Sequence, residues 1–189
     1  MRLVTYEANG AWRAGIALDG DVVEAVAVAR EAGFAGTDGE DGWDSNRRII
    51  AAGPARLRAL GATAAALAAS GRASAAVHSL EDMRLGPPIV DPDKIICLGL
   101  NYRGHAAEAS LDAPVAPMLF AKFRNALTGP GAPIIIPRIS QQIDYEGELA
   151  VVISRPCKEV SEEEALDYVA GVMAFNDVSA RDVQHLTSQ

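Results

Sequence analysis

Asp144-Tyr145-Glu146-Gly147-Glu148-Leu149-Ala150-Val151-Val152-Ile153 places three carboxylates at alternate positions and then runs into unbroken apolar residues. Side chains of a strand alternate with period two, so Asp144, Glu146 and Glu148 are expected on one face, with Tyr145 and Gly147 on the other. Carboxylates about 6.5–7 Å apart along a strand repel unless a cation neutralises them, and a hard divalent cation takes oxygen ligands at about 2.0–2.6 Å. An edge strand with a solvated acidic face has the same spacing. The run Leu149 to Ile153 argues instead for a central strand, where three acids would be costly without a counter-charge. A further acid stands in Phe175-Asn176-Asp177-Val178-Ser179. If the two strands are neighbours, Asp177 completes a three-carboxylate oxygen site with positions open to water and substrate. Otherwise Asp177 or Ser179 serves as a helix N-cap.

Around this stretch, Lys94 to Leu100, Met118 to Lys122, Ile134 to Ile136, Ile143 to Ile153 and Val172 to Val178 read as strands bounded by Gly and Pro. Ser161 followed by Glu164 forms a capping box and predicts a helix there. Toward the N-terminus, Leu3 to Tyr6, Trp12 to Leu18 and Val22 to Val26 are separated by Asn9-Gly10 and Asp19-Gly20, which predicts a three-stranded meander. Ser45 to about Ser70 reads as helix interrupted at Gly53-Pro54 and Gly61. Leu85-Gly86-Pro87-Pro88 and Asp91-Pro92 form a stiff connector. It divides a small N-terminal domain, 1–88, from a main domain, 89–189.

The 189 residues are 49% hydrophobic and 22% charged, which excludes a disordered or fibrous chain. Twenty-five acids against 17 bases give 17 − 25 = −8, a field that repels phosphate backbones and anionic lipid. No nucleic-acid or membrane partner is expected, and a small-molecule site is. Cys97 and Cys157 lie in no zinc-type spacing, and Cys97, within Ile95-Ile96-Cys97-Leu98, is expected to pack as a small hydrophobe. Glu7 interrupts any secretory h-region and Ala64 to Ala69 is too short to span a bilayer, so a cytoplasmic location is expected. In Gly99-Leu100-Asn101-Tyr102-Arg103-Gly104-His105-Ala106-Ala107-Glu108, His105 and Glu108 are three apart and adjacent on a short helix. A carboxylate beside an imidazole fixes its tautomer and raises its basicity, a general-base dyad in outline, although a surface ion pair has the same spacing. His78 and His185 belong to no constellation and are expected at the surface.

Lys94 to Glu108, Pro117 to Pro137, Ile143 to Ile153 and Tyr168 to Gln184 together resemble the fumarylacetoacetate hydrolase family in order and spacing. The resemblance implies an α+β, β-rich fold, a mixed β-sandwich roll preceded by a small N-terminal α/β domain. It implies a Mg²⁺ or Mn²⁺ ion held by Glu146, Glu148 and Asp177, with His105 and Glu108 as the catalytic dyad. Implied too are a 2-oxo acid or acylpyruvate-like diketone substrate, C–C bond hydrolysis and a homodimer. Isomerase or decarboxylase chemistry in the same site, of the 2-hydroxyhepta-2,4-diene-1,7-dioate isomerase or oxaloacetate decarboxylase type, is the alternative. Family members continue past Ala180-Arg181-Asp182-Val183-Gln184 with a lysine-bearing Gly-Lys-Ser segment, whereas this sequence ends at Gln189. The expectation is a fragment, a chain completed by another, or an inactive remnant acting as a binding module.

Overall fold

The computed structural model describes residues 1–34, 42–70, 76–102, 104, 114–184 and 186. β1 (Arg2–Ala8), β2 (Ala11–Leu18) and β3 (Asp21–Glu24) form the meander. Asn9, Gly10, Asp19 and Gly20 all take positive φ (53°, 75°, 41° and 97°), the conformation whose twist suits a two-residue antiparallel turn. The third strand is shorter than expected, because Ala25 to Glu31 coils into helix α1. Helices α2 (Asn46–Ala51) and α3 (Pro54–Ser70) follow, with Pro54 at the first helical position, where its missing N–H costs nothing. Gly61 does not break α3. It lies beside Met1, whose Sδ would stand 3.3 Å from any added Cβ.

β4 (Val77–Ser79) and β5 (Leu85–Gly86) complete an antiparallel sheet in the order β4-β3-β2-β1-β5. Leu85 and Gly86 therefore pair with Tyr6 and Thr5, so this part of the expected connector belongs to the sheet. The helices cover one face, burying Ile16, Val23, Val28, Ile49 and Leu60, with Trp43 stacked on Phe34 at 5.2 Å. Asn46, buried at the start of α2, donates from Nδ2 to Val4 O (2.9 Å), Thr5 Oγ1 (3.1 Å) and Pro88 O (2.9 Å), tying helix, sheet and connector together. Among the described residues, every buried hydrophobic side chain lies between Tyr6 and Leu67.

Two predictions arise from this sheet. Gly15 faces Val22 and Tyr6, and a methyl there would collide with Val22 Cγ1 and lie 3.1 Å from Tyr6 Cε1. Overpacking of this kind costs about 1–3 kcal/mol, so Gly15→Ala is expected to lower the urea midpoint accordingly. Burial, and then the Glu24 carboxylate, push the Tyr6 phenol up to about 12 from 10.0. The unfolded chain releases that proton first, so Tyr6 contributes stability that is full below about pH 10 and is lost as pH rises toward 12. Thermal melts between pH 9 and 12 are expected to show a decline that Tyr6→Phe removes.

Beyond the connector the described strands form three antiparallel pairs. β6 (Ile95–Gly99) pairs with β7 (Met118–Lys122), β8 (Ile143–Asp144) with β11 (Ser179–Ala180), and β9 (Gly147–Ile153) with β10 (Val169–Asn176). A short helix α4 (Arg181–Gln184) follows β11. The expected single strand Ile143 to Ile153 is broken at Tyr145-Glu146, and its two parts take different partners. Nor is β9 central: among the described residues it pairs only with β10, and Leu149, Val151 and Ile153 stand exposed. Ile134 to Ile136 form no strand, since prolines on both sides fix φ and remove ladder donors. At Ser161 the capping box forms only in part. Ser161 Oγ lies 3.0 Å from Glu164 Oε2, and Glu164 N donates to Ser161 Oγ at 3.3 Å. Only a four-residue 3₁₀ turn, Ala165–Tyr168, follows, because Tyr168 O is already engaged by Ser154 N at 2.8 Å and the chain enters β10. No helix among the described residues is long and apolar enough to cross a membrane.

Candidate functional site

The break at Tyr145-Glu146 decides where the acids go. Asp177 N donates to Glu146 O at 2.9 Å, and Glu146 N donates to Asn176 Oδ1 at 3.1 Å, so the bends after β8 and after β10 are locked together. Asp177 is not a helix cap but a buried carboxylate, 4% exposed. The Lys122 ammonium, reaching from β7, forms an ion pair with its Oδ1 and also donates to Val178 O at 3.4 Å. Glu146 turns the other way: its Oε1 accepts from Ser179 Oγ at 2.7 Å and lies 3.0 Å from the Arg181 guanidinium. Arg181 in turn binds Asp144 Oδ2 through Nε (3.0 Å) and Nη2 (2.9 Å).

Helix α4, which carries Arg181, is held by Arg181 N on Gln142 O (2.8 Å) and by Asp182. The Gln141 N–H (2.8 Å) and then the buried Ser140 hydroxyl (2.6 Å) hold the Asp182 carboxyl below its usual range.

Cys97 does not simply pack as a hydrophobe. Burial pushes its thiol up to about 11, and the charge of the Asp177 carboxylate adds to that shift. Glu148 makes no hydrogen bond or ion pair with a described side chain. Tyr102 Oη accepts from Leu149 N at 3.4 Å, which sets Tyr102 against β9. His105 and Glu108 themselves, and His185, lie outside the described residues. His78 is half-buried, 3.0 Å from Glu24 Oε1, and remote from these acids in the N-terminal sheet.

Among the described residues, no three His, Cys, Asp or Glu side chains stand close enough as placed to hold a metal ion. The reason is visible in the pairing: Asp177 is drawn to Lys122, and Glu146 to Ser179 and Arg181. The donor set nevertheless suits a hard cation in chemistry and charge. All of its atoms are carboxylate oxygens, and the buried Asp177 Oδ1 is met by the Lys122 ammonium without a further hydrogen-bond donor. Asp144, Glu146, Glu148 and Asp177 against Lys122 and Arg181 leave a formal 2 − 4 = −2, the charge one divalent ion would balance.

Residues 94–189, just over half of the chain, match the family model described as fumarylacetoacetate (FAA) hydrolase C-terminal. The chain belongs to the fumarylacetoacetate hydrolase family. A Dictyostelium discoideum fumarylacetoacetate hydrolase domain-containing protein 2 homolog is 52% identical over 105 residues, which cover 56% of this chain and 34% of that protein. Xenopus laevis oxaloacetate tautomerase fahd2, mitochondrial, is 44% identical over 108 residues, covering 57% of this chain and 34% of the relative. The solved fumarylacetoacetate hydrolase from Exiguobacterium antarcticum superposes with a TM-score of 0.67 at 28% identity, over 96% of this chain and 57% of the other. This chain's α+β, β-rich architecture is therefore that of the family, and its match spans about a third of the length of those two curated relatives.

Proposed function

We propose that this chain carries the acidic half of a catalytic site for 2-oxo acids or acylpyruvate-like diketones. In it Glu146, Glu148 and Asp177 hold a Mg²⁺ or Mn²⁺ ion, and His105, oriented by Glu108, moves the proton. The observation that carries this reading is the buried Asp177 carboxylate, locked to Glu146 through the backbone, in a cluster with a formal surplus of two negative charges. When bound, the ion supplies positive charge against the oxygens of a chelating 2-oxo carboxylate.

Every other part falls to the chain's own residues. Arg181 steadies Glu146 and offsets Asp144. Tyr102 accepts from Leu149 N and so stands against β9. In the hydrolytic reading, His105 takes a proton from the water that attacks the carbonyl before the neighbouring C–C bond breaks. The name of the tautomerase relative, 44% identical, favours a second reading in the same site, in which His105 moves a proton at the carbon beside the 2-oxo group. The proposal places the site in residues 89–189, apart from a small domain of 1–88. It extends to a homodimer, since Leu149, Val151, Val172, Ile96 and Leu98 expose apolar surface that calls for cover.

With Mn²⁺ present, the protein is expected either to bleach the ultraviolet absorbance of an acylpyruvate or to speed enol-to-keto conversion of oxaloacetate. His105→Ala is expected to abolish the reaction while leaving Mn²⁺ binding in place. Mn²⁺ binding with neither reaction would reduce the chain to a binding module and contradict the proposal.

A further inference from the structure

We propose that Lys122 is a stand-in counter-ion: without metal its ammonium pairs with Asp177 and holds that carboxylate in place, and it yields the carboxylate when a divalent cation enters. The inference rests on the metal-site reading above.

Its basis is the burial of Asp177. A carboxylate 4% exposed calls for a cation or several donors facing it. The backbone N–H of Asp177 is used on Glu146 O, and no described donor besides Lys122 reaches Oδ1. What meets Oδ1 is the Lys122 ammonium. The β6–β7 register explains how it gets there. Ile95 stands opposite Lys122 and Cys97 opposite Phe120, so Cys97 and Lys122 share one face of the pair, and both are directed at Asp177.

The two cations of the site differ in how firmly they are held. Arg181 is pinned by two contacts to Asp144, one to Glu146 and one to Gln184 Oε1 (3.0 Å). Lys122 has a single ion pair and a long 3.4 Å bond to Val178 O, at the end of a flexible four-carbon stem. It is the cation that can leave. A resident ammonium competes with an incoming divalent ion for the same oxygen, so removing it weakens the empty site and strengthens metal binding. A side chain that only filled space would do the first without the second.

The test is calorimetric titration of the whole chain with MnCl₂, together with thermal melts of metal-free and Mn²⁺-loaded protein, for wild type, Lys122→Met and Lys122→Arg. Lys122→Met is expected to melt lower than wild type without metal, to bind Mn²⁺ about tenfold more tightly, and to gain more in Tm on loading. Lys122→Arg is expected to restore the metal-free Tm and to bind Mn²⁺ no more tightly than wild type. Should Lys122→Met fail to fold, Lys122→Gln takes its place with the same expectations. Unchanged or weaker Mn²⁺ binding in the variant lacking the ammonium overturns the stand-in role while leaving the metal site intact. A wild-type chain that binds no Mn²⁺ overturns the metal-site reading itself.

Discussion

Asp177→Ala is expected to reduce Mn²⁺ affinity by about 100-fold or more, beyond what loss of an outer-shell partner usually costs. It also leaves the three-quarters-buried Lys122 ammonium without its partner carboxylate. Breaking a buried pair by removing one member costs about 3–5 kcal/mol, so the metal-free variant is expected to unfold at lower urea as well. Glu148→Ala separates the two effects. Glu148 has no ion pair among the described residues, so its loss is expected to weaken Mn²⁺ binding to a similar extent with little change in metal-free stability. Titration calorimetry and urea melts on both variants check this. Equal stability losses with intact Mn²⁺ binding would make the acids a structural network only.

The second large effect belongs to the N-terminal sheet. Ile49→Ala removes a fully buried side chain from the cluster of Ile16, Val28, Leu60 and Trp43 between sheet and helices. Ile-to-Ala changes in such surroundings cost about 2–5 kcal/mol, a large share of the roughly 5–15 kcal/mol that holds a domain together. The urea midpoint is expected to fall accordingly, and a loss under about 1 kcal/mol would show that α2 is not part of the core. Mn²⁺ affinity under native conditions is expected to stay near wild type, because Ile49 touches none of the acids.

Where the chain's local chemistry decides the structure, the sequence was readable. Asn9-Gly10 and Asp19-Gly20 fix their hairpins because positive φ is a property of those residues. Gly61 misled, because the helix penalty of one glycine is small beside the packing of Met1 against it. Ser161 accepts from Glu164 N, one of the two bonds of a capping box, yet a cap does not set how far a helix runs, and the demand of β10 for Val169 stops it. At the site, the acids themselves were visible from their spacing. The break at Tyr145-Glu146 was not, nor were the roles of Cys97 and Ser179, because each depends on the register between strands that alternation alone leaves open.

The most direct test is anomalous X-ray scattering from crystals of this chain grown or soaked with MnCl₂. The account predicts one manganese peak enclosed by the carboxylates of Glu146, Glu148 and Asp177, with the Lys122 ammonium withdrawn from Asp177. No peak among those carboxylates at saturating Mn²⁺, with Lys122 still seated on Asp177, would contradict it.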